Sequence, residues 1–138
     1  MHVTIVGNLC ADPELRHTSS GVAVADLRVA ENRNHKDASG EWQQTTSYYS
    51  IVTWRKLAEH AASSLHKGDR VVAVGRMRQD EWTTDTGEAR RRYLIDADEL
   101  GASIRFATVE VQKSQHLESV EPKDYAPDDP ERPFDEAA

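Results

Sequence analysis

One change of period, near the middle of an otherwise strand-like chain, limits the possible folds of this sequence more than any other feature. Leu57, Ala61 and Leu65, with Ala58 and Ala62, place a small apolar stripe on a helix of about three turns. Lys67 and Gly68 end it, glycine being common just past a helix C-terminus. On both sides the period returns to two. His2–Leu9 alternates through Val3, Ile5 and Leu9, with Gly7 where a side chain is due; a glycine there marks a bulge or bend. Residues 22–29 form a second strand, and the polar stretch Asn32–Gly40 reads as a long hairpin loop. A third strand, rich in Thr, Tyr, Ile and Val, runs over 43–53. After the helix come strands over Arg70–Arg78 and Arg92–Ala97, with a hairpin tip at Asp85-Thr86-Gly87 between them. Ser103–Val111 alternates again through Ala107, Val109 and Val111, which predicts a sixth strand.

Five strands with one short helix between the third and fourth is the order of an OB-fold barrel. The expected class is therefore all-β: a five-stranded OB-fold barrel, an extra C-terminal strand, and a disordered acidic tail. The pattern alone leaves other small barrels open.

The charge supports the division into barrel and tail. The net charge of -7 looks wrong for a partner of nucleic acid until it is mapped. Residues 1–113 hold 15 Lys and Arg against 16 Asp and Glu, whereas residues 114–138 hold 2 against 8. Four of the five prolines also follow residue 114. A segment so acidic and so poor in apolar residues cannot offset its ordering entropy by burial. The expected domains are 1–112, folded, and 113–138, a disordered tail.

Several classes of function find no support. No stretch approaches the roughly 18–20 apolar residues of a membrane span, and the N-terminus shows no export signal. The single cysteine, Cys10, has no internal partner, which fits a reduced, cytoplasmic setting. No phosphate-cradling glycine loop, nucleophile elbow or zinc spacing is present, so neither catalysis nor a cofactor is expected. Asp96, Asp98 and Glu99 are the best metal candidates, and read more simply as solubilising charges at a strand end.

Single-stranded nucleic acid is held by cations along its backbone and by aromatic faces stacked on its bases. Both ingredients are present. Tyr48 and Trp54 lie in or at the end of the third strand, Trp82 at the root of the last hairpin, and Trp42 beside the second-to-third loop. Around them lie Arg28, Arg33, Lys36, Arg55, Lys56, Arg76, Arg78 and the run Arg90-Arg91-Arg92. A tryptophan in a small barrel is usually core, but all three here have polar or charged neighbours. Tyr48 and Trp54 share one face of the third strand; Tyr49 and Ile51 share the other and, with Phe106, can help fill the barrel. Asp80, Glu81, Asp85 and Glu88 are close enough in sequence to neutralise the three arginines.

Five stretches together resemble the bacterial single-stranded DNA-binding protein family. They are Ile5-Val6-Gly7-Asn8-Leu9 with Asp12-Pro13-Glu14-Leu15-Arg16; Gly21-Val22-Ala23-Val24-Ala25; Arg55-Lys56-Leu57-Ala58-Glu59; Leu65-His66-Lys67-Gly68-Asp69-Arg70-Val71; and Glu81-Trp82-Thr83-Thr84-Asp85-Thr86-Gly87-Glu88. The resemblance implies an OB fold, sequence-tolerant binding of single-stranded DNA, a homotetramer and a nucleoid-associated protein. It makes Tyr48, Trp54 and Trp82 stacking residues, and places Lys56, Lys67, Arg78 and Arg92 along the DNA path. The strand at 103–111 resembles one that clamps neighbouring subunits in actinobacterial members. Two departures stand out: a family tryptophan falls at or near Asn34, and Asp80-Glu81 stands where basic residues are common. Both weaken binding, so the chain reads as a secondary, specialised member. An accessory OB-fold subunit with weak nucleic-acid binding is the alternative.

In the family the tail ends in acidic residues and a terminal Pro-Phe that dock replication and repair enzymes. Here Asp128, Asp129, Pro133 and Phe134 match that pattern, but Arg132 replaces an aliphatic residue and four residues follow Phe134. A purely solubilising tail is the simpler reading.

Overall fold

The structure, a computed structural model, describes residues 1–114. In chain order it has β1 (His2–Leu9), β2 (Glu14–His17), β3 (Ala23–Lys36), β4 (Trp42–Trp54), α1 (Arg55–Ser64), β5 (Arg70–Thr83) and β6 (Ala89–Ala102). The hydrogen-bonded order is β1-β5-β6-β4-β3-β2, and a further β1–β3 pairing closes five of the six strands into a barrel. All pairings are antiparallel except the short β4–β6 contact, where Ile51 faces Ile95 and Val52 faces Asp96. This is the expected OB barrel, with β2 added along the outer edge of β3.

The inner face is filled by alternate residues. Leu27, Val29, Ile51, Val71, Ala73 and Ile95 are buried there, and Tyr49 packs partly against them. Each large aliphatic side chain so buried contributes roughly 1.5–3 kcal/mol. The helix lays Ala58, Ala61 and then Leu65 onto this core, so the stripe that holds it is 58/61/65 and Leu57 is only half-buried. Arg55 takes a left-handed φ of 58°, uncommon for a side-chain-bearing residue, and makes an abrupt corner from β4 into α1.

Gly7 is a point of closure rather than a bulge. A Cβ there would lie 2.8 Å from Val29 Cγ1 and collide with the carbonyl oxygen of Ala30, where β1 crosses β3. The irregularity in the barrel lies at Val74/Gly75, where Asp98 is the extra residue on β6.

Three expectations need correction. The stretch 32–40 is not a long loop: β3 and β4 continue as a two-stranded arm to the pair Lys36–Trp42, leaving a short turn. Asp37 organises that turn, accepting from the Ser39 N–H at 2.9 Å, the Ser39 hydroxyl at 2.6 Å and the Glu41 N–H at 3.0 Å. No strand forms over 103–111 in the single chain; Ser103 donates its N–H to Arg70 O at 2.8 Å, and the residues after it are irregular. No strand of the described chain pairs with this segment, so its alternation leaves Ile104, Phe106, Val109 and Val111 exposed. Phe106 fills no core, being 73% exposed with Arg70 and Arg105 beside its ring.

Candidate nucleic-acid interface

The register places one set of side chains on the outer face of the barrel. Along β4 these are Trp42, Gln44, Thr46, Tyr48, Ser50, Val52 and Trp54; across from them on β3 lie Lys36, Asn34, Asn32, Ala30, Arg28, Asp26 and Val24. Val24, Val52 and Leu94 form a small apolar floor beneath this face. Tyr48 is 56% exposed and Trp54 37% exposed. The β5–β6 hairpin continues the face with Arg78, Asp80, Trp82, Arg90, Arg92 and Asp96. Trp82 is 47% exposed, with the Arg92 guanidinium 5.6 Å from its ring centre.

An open groove of about 440 Å³ runs between these elements, bordered by Trp54, Arg28, Ser50, Arg78 and Arg92 and by the acids Asp12, Glu14, Asp26 and Asp80. Its arginines are mostly answered by carboxylates. Arg16 pairs with Asp26 at 2.9 Å, and that hydrogen bond together with the Asp26 charge holds the guanidinium more firmly protonated than usual. Arg78 donates to Asp96 at 2.6 Å and also binds Asp80, which lies 3.7 Å from Arg92. Arg28 is the groove arginine that makes no ion pair among the described residues. It donates to Ser50 Oγ at 3.0 Å and lies 5.3 Å from the Tyr48 ring centre.

The predicted basic residues divide accordingly. Arg28, Lys36, Arg76, Arg78, Arg90 and Arg92 share the face of Tyr48 and Trp54; Arg76 stands toward β1 and pairs with Asp98 at 3.9 Å. Arg33 and Arg91 lie opposite Thr45 and Glu81 and so project from the other face of their hairpins. Lys67 follows α1 and donates its backbone N–H at 2.8 Å to Asp12, which borders the groove. Arg55 and Lys56 begin α1 beyond Trp54, with Lys56 paired to Glu59 at 3.0 Å. Asp128, Asp129, Pro133 and Phe134 lie outside the described residues. Asp96 serves Arg78 and Trp54, and no metal-binding group of three His, Cys, Asp or Glu converges among the described residues. No helix there is long and apolar enough to cross a membrane.

Two features of this face escaped the sequence reading. Asp26 and Asp96, which answer Arg16 and Arg78, become visible only through cross-strand register, as does the meeting of Trp42 with Lys36, whose Nζ is 5.1 Å from the indole centre.

Comparison with known proteins follows the same lines. The chain is 45% identical over 114 residues to a single-stranded DNA-binding protein of Mycobacterium leprae, a match covering 81% of this chain and 68% of that one. It is 42% identical over 115 residues to a single-stranded DNA-binding protein of Corynebacterium glutamicum, covering 82% of this chain. The chain spans about half the length of that relative (51%). A crystal structure of a deletion mutant of the single-stranded DNA binding protein from Thermus aquaticus superimposes with a TM-score of 0.66 at 27% identity, covering 74% of this chain and 49% of the other. Residues 1–103 match the Single-strand binding protein family, and the chain belongs to that family.

Proposed function

We propose that this protein binds single-stranded DNA without regard to sequence, coating and protecting it during replication, recombination, repair or chromosome segregation. The observation that carries the reading is the exposed pair Tyr48 and Trp54 on one face of β4, with Arg28 between them on the neighbouring strand and making no ion pair among the described residues. Bases stack on Tyr48, Trp54 and Trp82 while Arg28, Lys36, Arg78, Arg90 and Arg92 follow the phosphates. Arg33, Arg55, Lys56, Lys67, Arg76 and Arg91 contribute through the surrounding field, where cations off the direct path still attract the strand.

The working form is a homotetramer in the cytoplasm, associated with the nucleoid. Exposed Ile104, Phe106 and Val111 support this, since a single chain leaves them uncovered. Asp128, Asp129, Pro133 and Phe134 dock replication and repair enzymes. The pairing of groove arginines with acids points to binding tuned downward, as suits a specialised family member. It does not favour an accessory subunit with weak nucleic-acid binding, because Tyr48, Trp54 and Trp82 all stand exposed on the same face.

Titration with oligo(dT) at low salt, read by tryptophan quenching and by mobility shift, tests the proposal. Quenching with a shifted band is expected; absence of both overturns it.

A further inference from the structure

Trp42 is the most exposed tryptophan, at 69%, and the register gives it specific company. It stands on the outer face of β4, the face that holds Tyr48 and Trp54. The three aromatics are spaced six residues apart on one 13-residue strand. At roughly 3.3 Å per residue, six residues separate neighbours by about 20 Å. Each of the first two has a cation from β3 against its ring, Lys36 at 5.1 Å from Trp42 and Arg28 at 5.3 Å from Tyr48. Between them the face is uncharged and polar: Gln44, Thr46, Asn34 and Asn32, with Thr46 donating to Asn32 at 2.7 Å.

We propose that Trp42 is a further base-stacking residue, and that it extends the path of single-stranded DNA along the β3–β4 arm to the pair Lys36–Trp42. The inference rests on the reading that DNA follows this face through Tyr48 and Trp54. One indole face lies against Lys36, leaving the other for a base, while the ammonium stands where a phosphate of the same nucleotide can reach it. The arm is otherwise hard to explain. It is exposed on both faces and buries no core, yet Asp37 holds its turn in one geometry. Asn34, one cross-strand pair further along the same face, offers no comparable ring, and Trp42 takes that part. A protein-binding patch would present contiguous apolar surface, whereas here a single aromatic is set among amides, hydroxyls and a cation.

The full-length protein with Trp54→Phe and Trp82→Phe leaves Trp42 as its sole tryptophan, with aromatic rings retained at the other two positions. Binding is followed independently by anisotropy of labelled oligo(dT). At saturation the Trp42 emission is expected to be strongly quenched. In the otherwise unaltered protein, Trp42→Ala should weaken binding of a long oligo(dT) about fivefold or more, and Trp42→Phe should restore most of it. An oligonucleotide too short to reach from Trp54 to Trp42 should bind Trp42→Ala and the unaltered protein alike. Unquenched Trp42 at saturation, or equal affinity of Trp42→Ala for the long strand, overturns the proposal. So does shielding of Trp42 from acrylamide before DNA is added, which would place it between copies of the chain. If the unaltered protein binds no oligonucleotide, the underlying reading fails instead.

Discussion

The indole N–H of Trp54 donates to Asp96 Oδ1 at 3.3 Å, and the other oxygen of that carboxylate accepts from Arg78 Nε at 2.6 Å. One acid therefore does two opposed things at the interface. It fixes the edge of an aromatic platform, leaving a ring face to solvent, and it answers the charge of the nearest arginine. Both partners are more than a third exposed, so this pairing adds little to stability, on the order of 0–1 kcal/mol. Its effect falls on binding.

Stacking and stability separate cleanly at Trp54 and Trp82. Trp54→Ala and Trp82→Ala should each weaken oligo(dT) binding by about 1–3 kcal/mol. Neither ring belongs to the core, so urea midpoints should stay close to that of the unaltered protein. Titration of each variant beside its denaturation curve checks both parts. If both variants bind as tightly as the unaltered protein, the stacking assignment is wrong.

Gly7→Ala should do the reverse. The added methyl group meets Val29 and the Ala30 carbonyl where β1 and β3 close the barrel. Backbone cannot yield there as a flexible side chain would, and overpacking of this kind costs about 1–3 kcal/mol. The urea midpoint should fall, while DNA affinity below the transition should hold. An unchanged midpoint would show that the closure is looser than the contact distances imply.

The barrel was legible in the sequence because its inner residues obey the period of two and its helix breaks it. Ile51, Val71 and Ile95 are buried where alternation puts them. The β3 side of the arm was not legible: Asn32–Lys36 is polar on both faces, so nothing in its hydrophobicity distinguishes a strand from a loop, whereas the Thr-rich β4 side was read as strand from residue 43. Ser103–Val111 differed in the opposite way, having the alternation yet pairing with no strand of the described chain. At the interface, Tyr48 and Trp54 could be assigned a common face by counting in twos. The run Arg90-Arg91-Arg92 read as one basic patch, yet pleating sends Arg91 to the other side. Arg78–Asp80 and Arg90–Glu88 are pairs two residues apart, but the pairings of Arg16 with Asp26 and of Arg78 with Asp96 depend on long-range register.

Asp37 supplies a pH dependence for the arm. Its carboxylate is held below the usual range, chiefly by the Ser39 hydroxyl, with Glu41 N–H and the Gln43 amide adding to the effect. Because the folded-state value is depressed, the stabilisation is fully present above the ordinary Asp range and disappears as pH falls through the lowered folded value. Carboxyl carbon shifts followed by NMR should place the Asp37 midpoint below that of an unstructured aspartate, with the Ser39 amide moving in step. Asp37→Asn should abolish the coupled amide shift. A midpoint at the ordinary value would mean that the turn is not closed in solution.

Asp80 makes the sharpest electrostatic prediction. It binds Arg78 and lies 3.7 Å from Arg92, so a phosphate approaching either arginine must displace a carboxylate already beside it. Asp80→Asn preserves the shape of the side chain and removes that competition. Single-strand binding loses about 0.7 in the slope of log K against log salt for each phosphate neutralised. Arg78 stays paired with Asp96, so the substitution frees Arg92 alone and should steepen the slope by roughly that amount. Affinity at low salt should rise severalfold, and the gain should shrink as salt is raised. Titrations of Asp80→Asn and the unaltered protein over a series of salt concentrations give both quantities. Parallel lines would show that Arg92 meets no phosphate. A rise in affinity with no change in slope would point to a general field effect of the lost charge instead of direct competition at the Arg92 guanidinium.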